Sequence, residues 1–197
     1  MKKLLITLSC SIFMISAFAD NSTSNNVNNF ISTSSTKSTN IQLKTFINNY
    51  NNLAKKDKLT QLLMIKNPKP DASSNDKQNV YEIYLTDSEE IGTSLYLNTD
   101  KKTSKITKVY NFMNVKKVSN QDKESIYTTM MILYGLTLGG LGNTPNEAGN
   151  ILNELFKGLN TKSAQRDMSS NLTYKGIKYN LIAHIYDAGI SYTLEVK

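Results

Sequence analysis

SIYTTMMILYGLTLGGLGNTPN, residues 125–146, contains no charged side chain, and from residue 126 to 141 it consists mainly of Ile, Met, Leu, Tyr and Gly. Apolar residues line two adjacent sides of a helix drawn through it: Ile126, Met130 and Leu133 on one, Tyr127, Met131, Tyr134 and Leu138 on the other. Such a surface needs cover on more than one side. The stretch therefore predicts a buried central helix, which the glycines near residues 139 and 140 end.

A membrane span is the alternative interpretation of this stretch, with Gly135 and Gly139 forming a GxxxG packing face. The apolar run of about 16 residues is shorter than the roughly 20 that a bilayer requires. It also contains threonines and several glycines. These features favour a helix in a protein core.

A second helix follows directly. Thr144 and Glu147 match the TxxE capping box, and Pro145 occupies the first helical position. Apolar residues then recur on one face, and Gly158 followed by Leu159 predicts a left-handed C-cap. The two helices are predicted to form an αα-hairpin.

Residues 1–19 have the pattern of a secretory signal peptide, with Lys2 and Lys3 before an apolar stretch and an AxA site at residues 17–19. Cleavage before Asp20 is predicted. A lipoprotein anchor on Cys10 is the less favoured alternative. Because Cys10 is the only cysteine, the processed chain would have no disulfide, thiolate nucleophile or cysteine metal ligand.

The remaining chain divides into two parts. Residues 20–40 are rich in Asn, Ser and Thr and are predicted to be a flexible segment. Residues 41–197 are predicted to form a single domain that begins with a helix over residues 41–54. Residues 59–65 form a short apolar run, interpreted as a strand or a helical turn.

Strand patterns flank the helical hairpin on both sides. Side chains alternate with period two after residue 80, after residue 91 and after residue 106, which predicts a three-strand meander. Residues 161–171 are predicted to be a polar connection, and residues 172–197 to return as strands, with a turn at Lys175 and Gly176. The fold class predicted is α+β: an antiparallel sheet, made of the meander and a C-terminal hairpin, packed against the αα-hairpin and the N-terminal helix.

No motif in the sequence specifies catalysis, a metal or a cofactor, and none of these is expected. His184, the only histidine, falls within a predicted strand, and no nucleophile motif or orienting carboxylate motif accompanies it. We interpret it as a half-exposed strand residue.

Two groups of side chains are candidates for a binding surface. Tyrosine favours strands and also anchors interfaces, and the candidates are Tyr84, Tyr96, Tyr174, Tyr186 and Tyr192. The densest basic group, Lys101, Lys102, Lys105 and Lys108, is interpreted first as a solvated hairpin. Anionic lipid, a cell-wall polymer or an acidic protein are its alternative partners.

These features predict an exported, non-enzymatic protein of the envelope or the medium that binds a protein partner. Nucleic acid is not expected as a partner, nor is integral membrane association. The alternatives are a secreted factor, or a secretion-apparatus accessory, that acts on another cell through residues 21–40. An envelope hydrolase without a sequence signature and a membrane-active protein are further alternatives.

Overall fold

The computed structural model describes residues 39–56, 58, 60–87, 91–116, 123–160, 167–186 and 189–197. The predicted signal peptide and the predicted flexible segment up to residue 38 lie outside these residues. Thr39 is buried, and its hydroxyl donates to the carbonyl oxygen of Ile106. Thr39 is therefore already packed on the folded domain.

The described chain contains three helices, one 3-10 turn and six strands. The helices are α1 (Leu43–Ala54), α2 (Lys123–Gly140) and α3 (Pro145–Asn160), and the 3-10 turn is Thr60–Leu63. The strands are β1 (Gln78–Asp87), β2 (Ile91–Asp100), β3 (Ile106–Lys116), β4 (Asp167–Tyr174), β5 (Ile177–Tyr186) and β6 (Gly189–Val196). This arrangement confirms the predicted α+β class.

All six strands form one antiparallel sheet in the order β1-β2-β3-β6-β5-β4. The last strand pairs with β3, so it joins the N-terminal meander to the C-terminal strands. β4 begins at Asp167, within the segment predicted to be a polar connection. The prediction was wrong there because β4 is an edge strand whose outward side chains are polar.

One face of the sheet packs against the helices. Successive side chains along each strand alternate between this buried face and the opposite one, as the period of a strand requires. The buried face includes Leu95 and Leu97 of β2, Met113 of β3, Leu181 of β5 and Leu194 of β6, all fully buried. Within the described residues, the core therefore lies between one sheet and one layer of helices.

The central helix α2 lies over β3, between α1 and α3. Asn111 of β3 is fully buried, and its amide donates to the Thr137 hydroxyl at 2.7 Å and to the Leu133 carbonyl at 3.2 Å. A buried amide of this kind requires such partners. These bonds fix the position of α2 on the sheet.

Close contact between α1 and α2 explains the glycines that end the central helix. A Cβ atom at Gly140 would lie 2.6 Å from Phe46 Cε2, and one at Gly139 would lie 2.1 Å from Leu53 Cδ1. Only glycine leaves this space to the two α1 side chains. Gly139 of the GxxxG pattern thus serves helix packing inside the domain.

The left-handed cap lies one helix earlier than the sequence analysis predicted. Gly142 has φ +90°. The amide of Asn143 donates to the Leu138 carbonyl, and the amide of Gly142 donates to the Gly139 carbonyl. These two bonds form a Schellman motif that ends α2. Gly158 is not in this conformation, and α3 continues to residue 160. Gly158 instead makes room for Ser170 of β4, whose Oγ would lie 2.1 Å from an added Cβ.

The predicted capping box at the start of α3 is confirmed. The backbone amide of Thr144 donates to Glu147 Oε2 at 2.8 Å, and the amide of Glu147 donates to Thr144 Oγ1 at 3.3 Å. Glu147 also accepts hydrogen bonds from Lys175 and, at 3.1 Å, from the Tyr174 hydroxyl. One carboxylate therefore joins the start of α3 to the β4–β5 hairpin.

Among the described helices, none combines the length and apolar character that crossing a membrane requires.

We expect Gly140→Ala to destabilise the protein by about 1 to 3 kcal/mol, because the new methyl group overlaps the Phe46 ring. Urea unfolding of this variant and of Gly140→Ala in a Phe46→Leu background measures the effect. The cost should be smaller in the second background, where the ring is absent. An equal loss of stability in both backgrounds would show that Gly140→Ala does not act through the Phe46 ring.

We expect Glu147→Gln to lower stability by about 1 kcal/mol at neutral pH. The Lys175 ammonium and the Thr144 amide lower the pKa of Glu147 from 4.5 to about 2. The ionised carboxylate therefore stabilises the fold above its ordinary pKa, and this contribution is lost as the pH falls from about 4.5 toward 2. Denaturant unfolding across this range measures the difference between wild type and variant.

Glu154→Gln is the matched control, since Glu154 is exposed on the same helix. Glu154→Gln should change the free energy of unfolding little at any pH. If the stability difference between wild type and Glu147→Gln stayed the same at pH values below the lowered pKa, the proposed contribution of the charge would be contradicted.

Candidate functional site

The sheet face that points away from the helices, here called the open face, is the main candidate site. Register places Glu82, Tyr96, Tyr110, Glu195 and Asn180 in one row across strands β1, β2, β3, β6 and β5. Cross-strand neighbours in such a row have Cβ atoms about 5 Å apart. The row crosses the middle of the sheet.

Aromatic and aliphatic side chains occupy much of the open face. They are Tyr84, Tyr96, Tyr110, Phe112, Ile182 and Tyr186. None of the six belongs to the described core or to the half-buried residues packed on it. Tyr84 is 73% exposed, which makes it one of the three most exposed large apolar side chains of the described residues.

The structure divides the five candidate tyrosines between the two faces. Tyr84, Tyr96 and Tyr186 lie on the open face. Tyr174 and Tyr192 lie on the helix face, where both pack against the core. The five tyrosines therefore do not form one surface.

Three open-face residues were missed by the sequence analysis: Tyr110, Phe112 and Ile182. The period-two pattern places Tyr110 and Phe112 on one face of β3, and it places Ile182 on one face of β5. Only the pairing of β3 with β6, and of β6 with β5, aligns them with Tyr96. That pairing is not evident in the sequence.

Two tyrosine–glutamate pairs set the electrostatics of the central row. The Tyr96 hydroxyl donates to Glu82 Oε1 at 2.5 Å, and this bond raises the pKa of Tyr96 to about 12. Burial acts to raise the pKa of Glu195, but hydrogen bonds from Lys197, Asn180 and Tyr110 outweigh it and lower that pKa. Glu195 is therefore ionised at neutral pH, and hydrogen bonds hold Tyr96 on Glu82 and Tyr110 on Glu195.

A depression of about 310 Å³ lies at the β4–β5 end of this row. Its lining includes Asn171, Lys178, Asn180, Glu195 and Lys197. Glu195 is 8% exposed and binds Lys197 Nζ at 2.8 Å. Three of its lining residues are charged, and two of these, Glu195 and Lys197, pair with each other.

His184 lies on the open face with its ring stacked on Tyr186, at 6.1 Å between ring centroids. Its Nδ1 is bonded to Asp167 of β4, and Ser191 of β6 lies opposite it on the other side. Serine, histidine and aspartate thus share one cross-strand row. The His184 and Asp167 side chains are 53% and 77% exposed, so the pair lies in solvent rather than in the dry site that strengthens catalytic electrostatics.

The candidate lysines lie apart from the tyrosines, at one end of the sheet. Lys101 and Lys102 are in the β2–β3 turn and Lys105 precedes β3, and all three are exposed. Lys105 Nζ donates to Asn40 Oδ1 at 2.6 Å, and Lys101 Nζ reaches the Asn75 carbonyl at 3.4 Å.

Within the part of the chain that the structure describes, no three His, Cys, Asp or Glu side chains are grouped as a metal site would require. No protein-family model, curated protein or solved structure matches the chain. The geometry of the open face and of the lysine-bearing end is therefore the basis for any functional conclusion.

Proposed function

We propose that this is an exported, non-enzymatic binding protein, and that the open face of its sheet binds a protein partner. The observation that carries the proposal is the group of six exposed or half-exposed aromatic and aliphatic side chains around Phe112, on a face that no described helix covers. Exposed apolar patches rimmed by polar groups mark interaction sites.

The size of the open face fits a protein better than a small molecule. Six strands about 4.8 Å apart and roughly 25 Å long present an area on the order of 600 Å². One side of a standard protein interface covers about 800 Å². The described depression, about 310 Å³, lies at one side of this face and is at the lower end of the volume range of small-molecule sites.

The chemistry of the open face also suits a protein interface. Tyrosine is enriched among residues that dominate binding energies, because it adds apolar area and a hydroxyl at low entropic cost. Glu82 and Glu195 hold two of the tyrosines in fixed positions. A preorganised surface loses less entropy when it binds.

Export is the second part of the proposal, to the periplasm or to the medium. Its support is the signal-peptide pattern of residues 1–19, which lie outside the described residues. The domain depends on an apolar core and has no cysteine, so it does not need an oxidising compartment to fold.

Photo-cross-linking in the producing cell tests the binding surface. With a benzophenone amino acid in place of Tyr84, we expect a specific covalent adduct with one protein. The matched control carries the same group in place of Leu62, which is 77% exposed on the 3-10 turn. That position should give no adduct of the same mass.

A Phe112→Glu substitution completes the test, since it places a charge in the centre of the open face. The adduct from position 84 should be lost while circular dichroism and the melting temperature stay near the wild-type values. Equal adducts from both positions, or an adduct that persists with Phe112→Glu, would contradict the proposal.

A further inference from the structure

The topology of the sheet gathers lysines that are far apart in the sequence. The start of β1, the β2–β3 hairpin, the β4–β5 hairpin and the end of β6 all lie at one end of the sheet. This end, here called the lysine end, carries Lys77, Lys101, Lys102, Lys105, Lys108, Lys175, Lys178 and Lys197. Sequence spacing suggested only the four between residues 101 and 108.

Most of these lysines have no acidic partner. Lys175 pairs with Glu147 and Lys197 with Glu195. For the other six, no carboxylate of the described residues lies within ion-pair distance. All eight are exposed except Lys108, which is half-buried. The lysine end therefore presents ammonium groups that remain available to an external anion.

Carboxylates at the same end reduce the positive charge without cancelling it. In addition to the two paired glutamates, they are Asp71, Asp76 and Asp100. Asp71 accepts a bond from the Ser73 amide, and Asp100 accepts bonds from the amides of Lys102 and Thr103. Eight lysines thus face five carboxylates, two of which are held in tight turns.

We propose that the lysine end binds the anionic headgroup surface of a membrane as a peripheral contact. The ammonium groups are spread over six strands, a width of about 24 Å, which matches an array of phosphates rather than one small anion. Juxtaposed lysines of this kind are attracted to anionic lipid surfaces.

The side-chain types favour lipid over the other anionic partners. Lysine is depleted in the centres of protein interfaces, and the exposed large apolar residues of the described chain, Leu62, Tyr84 and Tyr127, all lie outside the lysine end. Single-stranded nucleic acid is usually bound with exposed, stacked aromatic residues, and Tyr84 and Tyr127, the large exposed aromatic side chains of the described chain, lie outside the lysine end. A lipid surface requires only charge and exposure.

This inference goes beyond the proposed partner-binding function and depends on different residues. Tyr84 and Phe112 both pair with Ser94, which is six residues along β2 from Asp100 at the lysine end, about 20 Å at 3.3 Å per residue. Membrane contact at the end of the strands therefore leaves both side chains accessible. Either proposal can fail while the other holds.

Sedimentation with lipid vesicles tests the inference on the full processed chain. We expect binding to phosphatidylcholine vesicles that contain phosphatidylglycerol, and no binding to phosphatidylcholine alone. Raising the salt from about 0.1 M to about 1 M should abolish the binding, since the Debye length falls from about 10 Å to about 3 Å.

A triple variant with Lys101→Gln, Lys102→Gln and Lys105→Gln should bind at least about tenfold more weakly. The matched control, Lys55→Gln with Lys56→Gln and Lys157→Gln, removes the same charge from exposed positions just after α1 and on α3, and should keep its affinity. Circular dichroism checks that both variants fold.

Three outcomes would overturn the inference. The first is no binding to the anionic vesicles at low salt. The second is an equal loss of affinity in the two triple variants, which would make net charge the cause. The third is binding to heparin or DNA fragments without binding to vesicles, which would assign the lysine end to an acidic polymer.

Discussion

The packing of α2 against its neighbours is the contact on which the other features depend. This helix is held to the sheet by the buried amide of Asn111, which bonds Thr137 and Leu133. It is held to α1 by the close approach at Gly139 and Gly140. With α2 fixed between them, α1 and α3 complete one layer over one face of the sheet.

A single helical layer has a direct consequence for function. The helices bury the side chains at every second position of the strands, and the intervening positions form the open face. On that face, residues such as Phe112 and Ile182 stay half-exposed, and hydrogen bonds to Glu82 and Glu195 restrain two tyrosines. The arrangement that stabilises the core thus produces the candidate interface.

Much of the fold could be predicted from the sequence because the deciding patterns are local. The uncharged run before Gly142, the TxxE box at Thr144 and the Lys175–Gly176 turn each act within a few residues. The structure places α2, the start of α3 and the β4–β5 turn accordingly.

Two local patterns were misinterpreted. Gly158 matches a C-cap in sequence, but contact with Ser170 of a distant strand requires a glycine there for packing. β4 was placed too late because its first residues are polar, and pairing with β5, rather than composition, makes them a strand.

The candidate site was less predictable because it depends on pairing between distant strands. Alternation assigns each tyrosine to one of two faces of its own strand, yet it does not relate the faces of different strands. Tyr174 and Tyr192 were therefore grouped with Tyr84, although they face the helices. The eight lysines of the lysine end are likewise brought together by strand order and not by sequence spacing.

Cysteine labelling at two adjacent positions tests the central claim that one sheet face is covered and the other is free. In a Cys10→Ser background, Phe112→Cys should react with a maleimide in the native protein, while the neighbouring Met113→Cys should be protected until the protein unfolds. Protection of both positions would show that the open face is covered, and fast reaction at both would show that the helical layer does not pack on the sheet.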